Sequence, residues 1–274
     1  MTLPERWFRT RPDSSVLDRP RLLARSLIDA AALDDRIGRY ERLLGARADL
    51  RMPIPDFGGL ELAAVGGLLL IASERPFTPM QRRTAYSLIV PSLAGALRLV
   101  RANGGIVLEP REAIVPGARA RVRFADGAIA ELVEHRPRPG ERPRPPGGPA
   151  PRPTGVRLMA RLVTPSAAFE RSVALYEAML GTPAEARTRH PSPIASDLAV
   201  VGELLIIGSD GLAAEGAPAA AFALLAEPGA AAFDPGEHGR AERRLETGAL
   251  AEIWTDPARG SRRPVSPHPN LRAT

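Results

Sequence analysis

Few side chains in this chain suit nucleophilic or metal chemistry. It has no cysteine, which removes disulfides, thiolate metal sites, iron–sulfur ligation and a cysteine nucleophile together. It has no lysine, so every strongly basic residue is an arginine. That group stays protonated and offers a planar fork of donors to carboxylate, phosphate or enolate oxygens. Four histidines occur, at 135, 190, 238 and 268, but no zincin motif, Gly-rich phosphate loop or nucleophile elbow is present. The chemistry left open is electrostatic: an arginine that binds or polarises an oxygen, and a carboxylate that orients it or moves a proton.

The elements that must position such residues are written twice. The stretch from Leu22 to Glu74 aligns without a gap onto Leu158 to Asp210 at an offset of 136 residues, with roughly 20 of 53 positions identical, a sign of internal duplication. Each copy begins with a short apolar strand, "RLLARSLI" or "RLMARLVT", followed by a helix ending in "YERLLG" or "YEAMLG". In the first helix Leu33, Ile37, Tyr40 and Leu44 recur at helical spacing before Gly45 as a stop. Three short strands follow, with Gly66 and Gly67 as the last turn, so the unit is βαβββ. The same order recurs from "AYSLIVP" to "AIAELVE", with a hairpin at Asp126 and Gly127. The end of the chain, "GRAERRLETGALAEIWTDP", repeats "ARARVRFADGAIAELVEHRP", but the segment before it is too short for a full second helix.

The expected organisation is α+β, in five parts. Residues 1–20 form an N-terminal arm, 21–137 a first domain of two βαβββ units, and 138–154 a linker dense in proline and arginine. Residues 155–258 form a second domain whose last unit is eroded, and 259–274 a flexible tail.

"Yxx(L/M)LG" in both copies, the "GGLLLIA" strand pair, "LRLVRANGGIV" and "DGAIAELVEH", in this order and spacing, resemble the vicinal oxygen chelate superfamily, which includes glyoxalase I, extradiol dioxygenases and bleomycin-resistance proteins. The resemblance implies tandem domains of paired βαβββ units, each curling a mixed sheet around an open cavity. Metal-dependent members resemble one another in a histidine or glutamine fifteen residues before the helix tyrosine and a glutamate four residues after the last turn glycine. Here the first position holds Arg25 and Arg161, and the second holds Glu131 and Glu252. An arginine repels a cation, and one carboxylate is too small a ligand set. No metal and no cofactor are therefore expected. Arg25 is expected to face Glu131, and Arg161 to face Glu252, either as ion pairs that plug the cavity or as ligand-handling groups.

With arginines at the metal positions, the family resemblance leaves a metal-independent protein acting on a small organic molecule as the expectation. The leading expectation is a secondary-metabolite tailoring enzyme of isomerase, cyclase or lyase type, with Arg25 as electrophile and Glu131 as base. Arg161, Glu252 and His190 are expected to contact ligand. A ligand-sequestering protein of the antibiotic-resistance kind is the alternative, and a metal-dependent glyoxalase- or dioxygenase-like enzyme a third. Tyr40 and Tyr176 are expected to pack, and His135 to be solvated or capping. Net charge is +6, but the excess sits in proline-rich segments without interleaved aromatics, so no nucleic-acid partner is expected. No membrane partner is expected either: no apolar run suits a signal peptide or a bilayer span. A cytoplasmic protein follows, as a monomer whose domains form a pseudo-dimer, or as a homodimer.

Overall fold

A computed structural model describes residues 12–54, 59–114, 117–137, 151–190, 196–214, 222–227, 230 and 240–256. Most of the expected arm, linker and tail, with His238 and His268, lies outside the described residues.

The first half opens with β1 (Arg21–Asp29), α1 (Leu33–Leu44), β2 (Ala48–Ile54), β3 (Leu60–Val65) and β4 (Leu68–Ser73). A short helix α2 (Pro79–Arg83) intervenes before β5 (Tyr86–Ile89), α3 (Leu93–Ala102), β6 (Ile106–Ile114), β7 (Gly117–Arg123) and β8 (Ile129–Glu134). The sequence reading left α2 out, although its start is signalled: Thr78 and Gln81 form a capping box around Pro79. The α1 helix stops where the sequence places its stop, because Gly45 adopts φ of 57°, a left-handed turn that costs glycine nothing. Gly181 at φ 63° ends the matching helix of the second half.

These eight strands form one sheet in the order β2-β3-β4-β1-β5-β8-β7-β6. Within each unit the first and last strands pair in parallel, β1 with β4 and β5 with β8, and the antiparallel β1–β5 pair joins the units. The second half runs β9 (Val156–Thr164), α4 (Phe169–Leu180), β10 (Ala186–His190), β11 (Ser196–Val201), β12 (Leu204–Gly208), α5 (Asp210–Ala214), β13 (Phe222–Ala226), β14 (Arg240–Arg244) and β15 (Leu250–Thr255). Its sheet order, β10-β11-β12-β9-β13-β15-β14, repeats the first without counterparts of β6 and α3 among the described residues. This is the tandem arrangement of βαβββ units expected from the sequence.

Strand alternation sorts the side chains into two environments. On β1, Leu22 and Ala24 join a large core that also holds Tyr40, Tyr176 and Phe222 from both halves. Leu23 and Leu27 face the other way, with Met52, Leu69 and Ile71, and line the concave face of the first sheet. Met159, Leu205, Ile207 and Trp254 do the same in the second.

The two halves also exchange contacts reciprocally. The Tyr40 hydroxyl of α1 lies 3.2 Å from Thr247 Oγ1 in the β14–β15 turn. The Tyr176 hydroxyl of α4 donates to Asp126 Oδ2 in the β7–β8 turn at 2.9 Å. Burial pushes the Tyr176 pKa well up, so the hydroxyl remains a donor. Its ring stacks edge-on to Tyr86 and Phe124 of the first half. At Gly67 a Cβ would run into the Leu158 carbonyl, so only glycine lets β9 approach this closely.

Tyr176→Phe is expected to cost about 1 kcal/mol, the net value of one hydrogen bond. Tyr176→Ala is expected to cost about 3–5 kcal/mol through the cavity it leaves. Urea unfolding reads both, and equal losses would mean that the hydroxyl, rather than the ring, holds the halves together.

Candidate functional site

Arg25 and Glu131 sit on strands separated by β5, and both project from the concave face. Reaching across requires a small residue on the strand between, and Ser87 supplies it in register with Glu131. Arg25 Nη1 donates to Glu131 Oε2 at 2.9 Å and to Ser87 Oγ at 3.0 Å. The second half repeats the crossing with Ala223 on β13 opposite Glu252. There Arg161 grips Glu252 with both prongs, Nε to Oε2 at 2.5 Å and Nη2 to Oε1 at 2.8 Å. The geometry thus brings together both pairs that the repeat matches. His190 is the last residue of β10, opposite Ser196; its side chain lies outside the described residues.

Around Glu131 the structure adds residues that sequence reasoning missed. Arg119 Nη1 donates to Glu131 Oε1 at 3.1 Å, and Arg121 Nη2 reaches the same oxygen at 3.4 Å. Arg121 Nη1 donates to Glu109 Oε1 at 2.5 Å, while Arg119 binds Glu112 Oε2 through Nε and Nη2. Acidic and basic side chains therefore alternate across β6, β7 and β8, each charge facing its opposite on the next strand, and Arg25 completes the series from β1 across β5. The signal was the period-two "ARARVR", which puts Arg119 and Arg121 on one face. His135, expected to be solvated or capping, is buried at 2% exposure, and Ser14 in the preceding segment bonds its backbone N–H and carbonyl.

These charges form one wall of a cavity of about 250 Å3. The opposite wall is apolar, made by Met52, Ile54, Leu60, Leu62 and Ile71, and Thr78 and Gln81 of the α2 region also line it. Burial alone would raise the Glu131 pKa, but Arg25, Arg121 and Arg119 outweigh it and hold the carboxyl below its usual range. The Arg25 guanidinium is pulled down by burial, against which Glu131 acts; it remains charged at any physiological pH.

The second pair is closed by comparison. Glu252 is 1% exposed and accepts four hydrogen bonds: two from Arg161, one from Arg240 Nη2 at 2.7 Å and one from Trp254 Nε1 at 3.2 Å. Burial again opposes ionisation, and Arg161 and Arg240 again overcome it.

The donor set does not suit a divalent cation. Glu131 is ringed by three guanidiniums, and among the described residues no group of three His, Cys, Asp or Glu side chains is placed to hold an ion. What the first cavity can do is place an oxygen or a donor group of a small molecule against fixed, desolvated charges. No described helix is long and apolar enough to cross a membrane.

No family model and no curated protein matches the chain. Among solved structures, it is similar to a mutant of 4-hydroxymandelate synthase from Streptomyces coelicolor, at 16% identity over 86% of this chain and 92% of that one, with a TM-score of 0.48. The 2,3-dioxygenase LapB from Pseudomonas sp. KL28 is similar at 17% identity over 87% of this chain and 92% of that one, with a TM-score of 0.46. An uncharacterized protein from Methanosarcina mazei matches at 29% identity over 42% of this chain and 92% of its own, with a TM-score of 0.38. Likenesses at this level say nothing of substrate, and the fold assignment rests on the strand order of this chain.

Because the Glu252 pKa is lowered on folding from about 4.5, its contribution to stability is full above that value and is lost as pH falls through the folded pKa. Thermal melts are expected to show a Tm that falls steeply below about pH 4.5. In Glu252→Gln the fall should be shallower, from a lower starting Tm at neutral pH. A variant with an unchanged acid profile would show that this carboxylate does not carry the dependence.

Proposed function

We propose that the first domain is a metal-independent site acting on a small organic molecule, worked by Arg25 and Glu131 with Arg119 and Arg121. The observation that supports it is the convergence of three buried or nearly buried guanidiniums on one carboxylate at the wall of a cavity whose opposite wall is apolar. Such a site suits a ligand with an apolar body and a polar end. Arg25 polarises an oxygen of that end, and Glu131 orients the arginine or moves a proton. Isomerase, cyclase or lyase chemistry, as in the tailoring of secondary metabolites, needs no more than these two roles.

A second reading, ligand sequestration without turnover, is favoured by the lowered pKa of Glu131. A carboxylate stabilised by three arginines is a weak base and a good anchor. Product analysis separates the two, since a sequestering protein returns its ligand unchanged.

In the second domain, Arg161 and Glu252 are assigned a structural role, since the acceptor capacity of Glu252 is spent on Arg161, Arg240 and Trp254. We place the working site in the first domain, in a monomer whose two domains pair like the subunits of a dimer.

Native mass spectrometry of the purified protein, before any chelator, tests the metal-independent reading. The expected mass is that of the bare chain or of the chain with an organic compound. A divalent ion lost on chelation would overturn it. Arg25→Ala is expected to lose any co-purifying compound or turnover. Arg161→Ala should retain either one while losing about 3 kcal/mol of stability, because it takes one of two cationic partners from a buried carboxylate. Equal functional losses in the two variants would contradict the assignment of the site to the first domain.

A further inference from the structure

The second half contains a filled version of the first cavity. β15 repeats β8 at an offset of 121 residues, so Glu252 corresponds to Glu131, Trp254 to Val133 and, on the neighbouring strand, Arg240 to Arg119. The register is the same in both sheets: Arg119 lies opposite Val133, and Arg240 opposite Trp254. Each arginine bonds the glutamate of the strand beside it, Arg240 Nη2 to Glu252 and Arg119 Nη1 to Glu131. Their second partners differ, Glu242 on the same strand for Arg240 and Glu112 on β6 for Arg119.

What differs is the occupant. In the second sheet the Trp254 indole, 1% exposed, lies on the concave face against Met159, Leu205 and Ile207. Its Nε1 donates to Glu252 Oε2 at 3.2 Å, and the Arg240 guanidinium lies 5.5 Å from the ring centre, within cation–π range. In the first sheet Val133 stands at that position and lines the open cavity instead. The acceptor is still there. Glu252 Oε2 takes two hydrogen bonds, from Arg161 and Trp254, whereas Glu131 Oε2 takes one among the described residues, from Arg25. A carboxylate oxygen accepts two.

The geometry points to a neutral fused aromatic ring carrying an N–H group as the ligand class of the first cavity. The N–H donates to Glu131 Oε2, the ring lies against the Arg119 guanidinium, and its far edge lies on Met52, Leu62 and Ile71. Trp254 supplies this arrangement to the second sheet from within; the first sheet takes it from solution. The inference rests on reading the first cavity as a small-molecule site. The hydrophobic wall buries the ring, and the donor compensates the carboxylate for water it loses. A ring of the same shape without a donor desolvates Glu131 with nothing in return.

The test is calorimetric titration of the full chain with indole and with 1-methylindole, which has the ring but no N–H donor. The wild type is expected to bind one equivalent of indole at least tenfold more tightly than 1-methylindole. Val133→Trp, which builds the second sheet's indole into the first, should abolish that binding. Should Val133→Trp fail to fold, Trp254→Val carries the test: its Tm falls, and indole restores it more than 1-methylindole does. Equal binding of both rings, lost together in Val133→Trp, would overturn the donor-on-Glu131 inference while leaving the cavity a small-molecule site. Absence of indole binding to the wild type, indole binding that persists in Val133→Trp, or a Trp254→Val protein indifferent to indole would also overturn it.

Discussion

A carboxylate placed inside a curled sheet has to be compensated, and most of the concave face is organised around that requirement. Leaving Glu131 or Glu252 ionised and unpaired in an apolar bowl would cost several kcal/mol. In each half the answer is an arginine reaching over an intervening strand, and the strand beneath it carries a residue small enough to be crossed, Ser87 or Ala223. The neighbouring hairpin supplies further guanidiniums, Arg119 and Arg121 in one half and Arg240 in the other. Because such pairs bring little net stability against hydrophobic replacements, their presence in both halves is better understood through what they hold in position than through what they add to folding.

The two halves resolve the same requirement differently. In the second, every acceptor on Glu252 is used and Trp254 fills the bowl, so the charged group becomes part of a solid core. In the first, Val133 leaves the bowl open, and the apolar strands β2 to β4 face the charged strands across a gap. At this position of the duplicated strand, Trp254 is buried in one half and Val133 lines a cavity in the other. Glu131 has three arginines around it, whereas Glu252 has two and the indole N–H of Trp254.

The order of elements was legible because the signals are local: the helical spacing of Leu33, Ile37, Tyr40 and Leu44, the stop at Gly45, and the hairpin at Asp126 and Gly127. The pairing of Arg25 with Glu131, 106 residues apart, was legible only through the repeat and the resemblance, since nothing local links a first strand to a last one. Arg119 and Arg121 were missed because an arginine on a two-residue period reads equally as a solvated face; which face is concave depends on how the sheet curls. The burial of His135, at odds with the solvated half of its expectation, was hidden for the same kind of reason, since Ser14, which bonds its backbone, is 121 residues away in sequence.

The contacts of Tyr40 with the β14–β15 turn and of Tyr176 with the β7–β8 turn are the kind that two separate subunits would make across a twofold axis. Here both partners are on one chain, so each turn meets its helix at an effective concentration set by the chain and not by the amount of protein in solution. Dilution cannot dissociate the pair. The halves are thereby relieved of any need to remain identical, since neither must also pair with a copy of itself, and one bowl can fill with its own side chain while the other stays open.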